Sequence, residues 1–475
     1  MKKSYFLFLL IINILLLFLF GIDYIGFVLP VTIGLFLLFD LLNMSLENGG
    51  TIFHPLPMSC IILILSFVLS PAISAGMKVY LLNPPRAIDW NKWLIILNWI
   101  YLVGVILFYF SCKIFFKTNN KKYDLTIIVD KTKLLIVSLV FLLISFACQF
   151  LVYLKFGGII SYMTKWTEDR GEFDGLGVWY MLAEPFPIIF LIFIILYLGK
   201  DKLKNSFILM TTIFIIFFVL KMLFGGFRGS RSNTIWGLYW FAGIVHLYIH
   251  KLKKIHYIVG VIFLTVFMST YALYKSYGVE AFSGEYTLND TKRYNDNPVV
   301  EMYLGDFSRA TINAYQLAQI NDLDIYENKY GQTYLSSLSK IIIPIKYLYV
   351  GHNKNSAGAE IVGGIKVNPS VDDYHNSRVY GVYGEAVLNF GVFFSIISLF
   401  FIGFIIVKFD NYCRFYGSKN IYIFLIPFIS NLSLTILLSD SDNVVFFVLK
   451  NGLLVVAYLY VLSITSIKEY KYAYE

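Results

Sequence analysis

Arginine is unevenly placed in this chain of 475 residues, and its placement suggests a site that binds an anion. The planar guanidinium group holds a phosphate or carboxylate through two parallel hydrogen bonds, which the point charge of lysine cannot do. We expect seven of the eight arginines to lie on one side of a membrane, the side where positive charge is normally scarce. These seven are Arg86, Arg170, Arg228, Arg231, Arg293, Arg309 and Arg378.

Four of these arginines are the strongest candidates for contact with an anion. Arg228 and Arg231 lie three residues apart in the turn GGFRGSR, whose glycines allow the backbone to approach a ligand closely. Alternatively, this pair anchors a hairpin among lipid headgroups. Arg309 lies on the polar side of a predicted helix, although Asp306 is close enough in sequence to form a simple helix salt bridge with it. Arg378 lies six residues before a predicted membrane span.

His375 and Glu385 are the candidates for proton transfer near Arg378. Imidazole titrates close to neutral pH, and His375 lies three residues before Arg378. Glu385 begins a predicted membrane span, where it could take the proton of a hydroxyl group. The alternatives are a solvated loop histidine and a carboxylate that stabilises the start of a helix through the helix dipole.

The elements that must position these residues are transmembrane helices. The chain is 58% hydrophobic and 15% charged, and its apolar runs repeatedly reach the roughly 20 residues that cross a bilayer. The runs do not alternate in polarity, and lipid tolerates only helices or closed barrels. We therefore predict an all-α polytopic integral membrane protein with about twelve transmembrane helices. The predicted spans are 4–20, 25–42, 59–77, 93–111, 134–154, 179–199, 206–224, 233–249, 256–274, 384–407, 421–438 and 444–465.

Lysine sets the predicted orientation of these spans. Lysines concentrate in loops such as 113–133 and 251–254, which places those loops and both termini in the cytoplasm. This bias explains most of the net charge of +9, so nucleic acid is not implied as a partner. The chain then divides into 1–274 with nine spans, a large outer loop at 275–383, and 384–475 with three spans and a short tail.

Charged residues also occur inside predicted spans. Glu184, Lys221 and Lys450 each lie toward the outer end of a span. A charge at the centre of a bilayer costs about 2.5–3.5 kcal/mol on insertion scales, so these side chains should face polar surroundings. They extend the anion-binding hypothesis from the outer loops into the membrane.

The large outer loop has internal order. Asp-Asn-Pro at 296–298 indicates the start of a helix whose apolar face continues to Ala318. The apolar part of 330–349 is too short to span and fits a re-entrant or interfacial segment. The glycine-rich stretch 351–370 is typical of a mobile loop, and we expect it to act as a lid.

Three local patterns in this half of the chain resemble bacterial O-antigen polymerases of the Wzy type. GGFRGSRSNTIWGLYW (225–240) resembles the arginine-bearing outer turn of that family. KYGQTYLSSLSKIIIP (329–344) is similar to the YGxTYLxxLxxxIP stretch near the end of its large periplasmic loop. YGEAVLNFGVFF (383–394) resembles the GEAYLNFGxxG sequence that leads into the next span. The three patterns occur in the family's order.

This resemblance implies an integral glycosyltransferase of the bacterial inner membrane, with a GT-C-like architecture and both termini in the cytoplasm. Its donor and acceptor would be undecaprenyl-diphosphate-linked oligosaccharides at the periplasmic face. Arg228, Arg231, Arg309 and Arg378 would then bind the diphosphate, and His375 or Glu385 would serve in catalysis. A chain-length regulator and a flippase of the same pathway are implied partners, together with membrane lipid.

No cofactor is expected, and the sequence shows no cluster of Asp, Glu and His with metal-ligand spacing, which favours a metal-independent enzyme. An O-antigen ligase, which transfers glycan to the lipid A core, remains an alternative because the two enzyme types share their architecture. A polysaccharide flippase or another transporter is the alternative of a different class.

Overall fold

The computed structural model describes residues 23–82, 84, 86–118, 123–168, 175–228, 231–278, 298–323, 327–341, 351–363 and 379–474. This part of the chain is mostly helical and contains ten helices that are long and apolar enough to cross a membrane. They are Tyr24–Glu47, Pro55–Gly76, Trp90–Phe115, Lys131–Lys155, Gly177–Leu198, Phe207–Arg228, Lys254–Tyr274, Gly381–Lys419, Ile421–Leu438 and Ser441–Thr465. The architecture is that of an all-helical polytopic membrane protein, as the sequence predicts.

Two of the twelve predicted spans are not among these ten helices. The span 4–20 lies outside the described residues. The span 233–249 forms a helix, Arg231–Ile244, that continues into a π-helical turn, Val245–Ile249. Polar residues at its start make it less apolar than the other long helices, so a count of twelve stays a prediction.

One small β-sheet accompanies the helices, and the sequence analysis missed it. The strand Tyr123–Val129 pairs in antiparallel register with Ile467–Tyr474, close to the end of the chain. Both strands are rich in tyrosine and β-branched residues, which favour a pleated and half-buried surface. The pairing joins segments that are more than 300 residues apart, so no local pattern indicates it.

The chain forms two compact units, each assembled from separate stretches of sequence. The first unit comprises Met1–Asn120, Arg293–Asn411 and Leu432–Phe446. The second comprises Lys121–Lys292, Tyr412–Asn431 and Phe447–Glu475. Each unit therefore combines spans from the first half of the chain with residues from its last three long helices.

In the first unit, the helix Trp90–Phe115 lies against Tyr24–Glu47 and against Ala310–Asn321. Asn98 donates to the carbonyl of Gly26 at 3.1 Å, and its side chain is buried. Gly104 lies so close to Leu399 that a Cβ atom there would overlap the leucine side chain. These contacts fix the helix that begins at Gly381, which carries much of the candidate site.

This helix is interrupted at Gly391, whose φ of 79° lies in the left-handed region that favours glycine. The carbonyl groups of Leu388 and Asn389 turn outward before the break and accept hydrogen bonds from the backbone of Lys329 and Tyr330, at 3.1 and 3.0 Å. The break therefore attaches the segment that contains Lys329 and Tyr330 to the helix that begins at Gly381.

The described part of the predicted outer loop contains four helices, and two expectations for this loop are wrong. The four helices are Pro298–Phe307, Ala310–Asn321, Gln332–Ser339 and Lys354–Gly363. The predicted helix from 298 to 318 breaks after Phe307, where the hydroxyl of Ser308 accepts from the backbone N–H of Ala310 at 3.0 Å. The expected mobile stretch contains the helix Lys354–Gly363, because its small residues pack under Ile312, Tyr380 and Leu388.

In the second unit, the helix Lys131–Lys155 packs against Gly177–Leu198. The hydroxyl of Ser145 donates to the carbonyls of Leu182 and Ala183, at 2.6 and 2.8 Å, and these carbonyls are freed where the second helix is irregular before Pro185. The irregular turn presents Glu184 to the interior of the unit.

The predicted orientation can be tested with reporter fusions. A fusion at Asn353 should report the outer compartment and a fusion at Asn119 the cytoplasm, because lysine is concentrated around the second position. A fusion at Asn205, in another lysine-rich loop, serves as the matched control and should agree with Asn119. Agreement between Asn353 and Asn119 would contradict the topology.

Candidate functional site

A buried carboxylate organises the polar interior of the second unit. The side chain of Glu184 is fully buried. Its Oε1 lies 2.9 Å from Nη2 of Arg228, and its Oε2 lies 2.7 Å from Nζ of Lys450. The amide of Asn233 donates to Oε2 at 2.6 Å. Three helices, two of them consecutive in the chain, thus contribute partners to one carboxylate.

Lys221 adds a third cation to this group. It is 2% exposed, and no carboxylate in the described part of the chain lies within 4.0 Å of its amino group. We call Glu184, Lys221, Arg228, Asn233 and Lys450 the Glu184 cluster. With every group ionised, the cluster holds one negative and three positive charges. Buried charges are stable when they are paired, so the cluster favours the binding of an anion when its lysines are ionised.

Glycines bring the backbone of the turn against this cluster. A Cβ atom on Gly225 would overlap the amide of Asn233 and lie 3.1 Å from Oε2 of Glu184, and the φ of Gly225 is 141°. A Cβ atom on Gly237 would lie 2.7 Å from Cε of Lys221, so the lysine stem crosses the helix at this glycine. Of the glycines predicted to admit a ligand, Gly225 instead admits the side chains of Asn233 and Glu184.

Gly225→Ala should therefore destabilise the protein while the neighbouring charges stay unchanged. Inserting a methyl group into a packed site costs about 1–3 kcal/mol, and the positive φ adds strain. Thermal unfolding in detergent measures the effect. Gly260→Ala is the matched control, since Gly260 lies in a helix and a Cβ atom there meets nothing within 4 Å. Equal melting temperatures for both variants would contradict the close packing at Gly225.

Arg228, predicted to bind an anion, lies inside the cluster. Its guanidinium group stacks on the ring of Tyr180, 4.2 Å from the ring centroid, and the residue is 9% exposed. The hydroxyl of Tyr274 donates to the carbonyl of Phe227 at 2.8 Å, and the hydroxyl of Tyr271 donates to the carbonyl of Gly226. Arg231 begins the next helix and is half-buried. The structure thus places Arg228 in the Glu184 cluster. Arg231 is not a member of the cluster and is the first residue of the next helix.

Glu385 organises a second polar network, which belongs to the first unit. The residue is 1% exposed. Its Oε1 accepts from the hydroxyls of Thr333 and Ser441, at 2.7 and 2.6 Å, and its Oε2 accepts from the backbone N–H of Ser441 at 2.6 Å. Ser337 lies 2.7 Å from the Ser441 hydroxyl. We call Glu385, Thr333, Ser337, Ser441 and Asn389 the Glu385 network.

Asn389 links this network to the outer-loop segment. Its Nδ2 donates to the hydroxyl oxygen of Thr333 at 2.8 Å, and its Oδ1 accepts from the backbone of Gly331 at 2.9 Å. Two of the sequence patterns that carry the family resemblance, 329–344 and 383–394, therefore bind each other through their characteristic residues.

Arg309, also predicted to bind an anion, lies in the same unit and lines a small pocket with Tyr101, Asn313 and Tyr383. Its Nη1 donates to the carbonyl of Ser308 at 2.7 Å, whereas its Nε is buried without a partner in the described part of the chain. No ion pair with Asp306 forms within 4.0 Å, so the simple helix salt bridge is not observed.

Two acidic groups near this network, Asp440 and Glu360, escaped the sequence analysis. Asp440 is fully buried and lies 3.9 Å from Nζ of Lys354. Burial raises the pKa of Asp440, and Lys354 opposes the rise. Glu360 pairs with Lys329 at 2.7 Å, and burial together with Lys329 lowers the pKa of the nearby His352. The polar run Ser-Asp-Ser-Asp-Asn between two apolar spans was the available signal for Asp440 and Ser441.

The two remaining predicted site residues, His375 and Arg378, lie outside the described residues. Within the described ranges, no group of three or more His, Cys, Asp or Glu side chains is arranged to hold a metal ion. The four cysteines are buried and form no disulfide.

Comparison with protein-family models, with curated proteins and with solved structures finds no match for this chain. Any conclusion about function therefore depends on the residues and geometry of the chain itself. Those define a multi-pass helical membrane protein with a buried cationic cluster in one unit and a buried carboxylate network in the other.

Proposed function

We propose that this protein polymerises oligosaccharide repeat units linked to undecaprenyl diphosphate, at the periplasmic face of the bacterial inner membrane. The growing glycan leaves its lipid diphosphate and joins the next lipid-linked unit. The observation that carries the proposal is the excess of positive charge in the Glu184 cluster. This cluster lies within a multi-pass membrane protein. A diphosphate on a lipid is an anion that would approach such a cluster from the bilayer.

The charge and hydrogen-bonding capacity of the cluster support this ligand. Lys221 has no carboxylate partner among the described residues, and Lys450 shares Glu184 with Arg228. A diphosphate would place negative charge beside Lys221, and its oxygens accept the short, charge-assisted hydrogen bonds that lysine and arginine donate. Binding strengthens as the glycosidic bond to the diphosphate breaks, because negative charge then grows on the leaving oxygen.

In the reaction, a hydroxyl of the acceptor sugar attacks the anomeric carbon of the donor. The bond from that carbon to the diphosphate oxygen breaks, and the lipid diphosphate leaves with the electron pair. The hydroxyl proton must pass to a base, for which Glu385 and His375 are the candidates. The candidates for diphosphate contact are Arg228, Arg231, Lys221 and Lys450 in the second unit, Arg309 in the first unit, and Arg378. No metal or other cofactor has an assigned role.

The structure around Glu385 supports a refined role for this residue. Both carboxylate oxygens already accept from Thr333 and Ser441, so the side chain orients these hydroxyl groups as well as offering a basic site. The connection between the patterns 329–344 and 383–394 supports the family resemblance, since Gly331 and Thr333 of the first pattern form hydrogen bonds with Asn389 and Glu385 of the second.

Deleting the gene and separating the lipopolysaccharide on a gel tests this function. If the protein is a polymerase, its deletion leaves lipid A core that carries a single repeat unit. Bare core would instead indicate the ligase, and loss of all exported units would indicate the flippase. Complementation with the wild-type gene should restore the ladder. A chain-length regulator is an expected partner, and its absence should change the modal length without removing the polymer.

A further inference from the structure

The helix Gln332–Ser339 has its polar side buried and its apolar side exposed. The buried residues are Thr333, Ser336, Ser337 and Ser339. Leu335 and Leu338 are 47% and 45% exposed, and Ile341, which follows the helix, is 51% exposed. A helix at a water-facing surface shows the opposite arrangement, with its apolar stripe toward the protein.

The buried hydroxyl groups of this helix have partners inside the protein. Thr333 donates to Glu385 at 2.7 Å, Ser337 lies 2.7 Å from the Ser441 hydroxyl, and Ser339 donates to the Ser336 carbonyl at 2.6 Å. Hydrocarbon surroundings require such internal satisfaction of polar groups, because no water is present to replace a missing partner. The helix meets this requirement while it presents leucine outward.

The exposed leucines adjoin an apolar surface on a membrane-spanning helix. The ring of Tyr334 stacks on that of Phe390, with centroids 6.1 Å apart. Phe390, Phe393 and Phe394 are 44%, 69% and 58% exposed on the helix that begins at Gly381. The apolar side of Gln332–Ser339 is thus continuous with a surface that faces lipid.

We infer that the helix Gln332–Ser339 is immersed in the acyl chains of the bilayer, with Leu335, Leu338 and Ile341 in contact with lipid. This part of the large loop is then a membrane element, although the loop as a whole is exported. The Glu385 network on the opposite side of the helix is shielded from bulk water by that lipid. The inference is independent of the proposed function, since it depends only on burial and exposure.

Site-directed spin labelling in liposomes tests this inference. Leu335→Cys, Leu338→Cys and Ile341→Cys are labelled with a nitroxide, and collisions with oxygen and with a water-soluble nickel chelate are compared. The four native cysteines are buried, so the unsubstituted protein provides the unlabelled blank. Ile262→Cys, at a 60% exposed position on the helix that begins at Lys254, is the lipid reference. Asn355→Cys, an exposed position on Lys354–Gly363, is the water reference.

All three labels should resemble the Ile262 label, with oxygen collisions exceeding those of the nickel chelate. Labels that resemble the Asn355 label instead would overturn the inference. A third outcome is that the labels are protected from both oxygen and the nickel chelate, and that this protection is lost when the protein is diluted in lipid. A second copy of the chain would then cover this surface, and the inference would also be overturned. Melting temperatures of the labelled variants establish that each is folded. Because three positions are labelled, the test does not depend on the folding of any one variant.

Discussion

Lys221→Met is expected to lower the rate of glycan transfer about 10²-fold or more while the melting temperature stays the same or rises. The loss in rate is the size typical of removing one group that stabilises developing charge. Stability should not fall, because Lys221 brings an uncompensated positive charge into a buried cluster and methionine fills a similar volume. Transfer assays with purified protein and thermal unfolding in detergent measure the two quantities.

This substitution separates ligand binding from folding better than a change at Arg228. Arg228 is paired with Glu184, so even Arg228→Lys, which should also lower activity by removing the bidentate fork, disturbs a structural ion pair. Lys408→Met is the matched control, because Lys408 is an exposed lysine on a long apolar helix and does not belong to the cluster. A fall in melting temperature that accompanies the loss in activity would assign Lys221 a structural role. Normal activity would remove Lys221 from the anion site.

The second large effect is expected at Glu385. Glu385→Gln should reduce the transfer rate by about 10²–10⁴-fold, the usual contribution of general-base catalysis. The substitution also removes an acceptor from the Ser441 N–H, so the melting temperature should fall moderately. Transfer rate and thermal unfolding are measured on the same preparation.

Ser441→Ala is the companion variant for Glu385. It keeps the carboxylate and the backbone hydrogen bond but removes one hydroxyl donor. If Glu385 acts as the base, Ser441→Ala should lower stability slightly and retain most of the activity. Equal losses of activity in both variants would show that Glu385 only positions its neighbours, and the base would then be sought at His375 or His352.

The sequence predicted the class of fold and several members of the site. Long apolar runs determine membrane helices, so most spans were located to within a few residues. Glu184, Lys221 and Lys450 were predicted to avoid lipid because a charge in hydrocarbon is costly, and all three are buried among polar groups. The sequence could not show that they share one cluster, since their positions are separated by up to 266 residues (450 minus 184).

The errors in the outer loop have a physical cause. Glycine, alanine and serine at 351–363 suggest a mobile loop by composition, yet their small size allows a helix to pack closely against Ile312 and Tyr380. The break after Phe307 depends on the local hydrogen bond of Ser308, which competes with helix continuation. The helix at 354–363 depends on tertiary packing, and the break after Phe307 depends on a local hydrogen bond. The periodicity of apolar residues predicts neither of them.

Reconstitution of the purified protein with a synthetic lipid-diphosphate-linked repeat unit tests the central claim most directly. The proposed function predicts a ladder of glycan chains and the release of one lipid diphosphate for each new linkage, with unchanged activity after addition of EDTA. The Lys221→Met protein should form no ladder under the same conditions, and the Lys408→Met protein should match the wild type. Intact protein that leaves the lipid-linked unit unpolymerised, or that releases no lipid diphosphate as chains grow, would contradict the account.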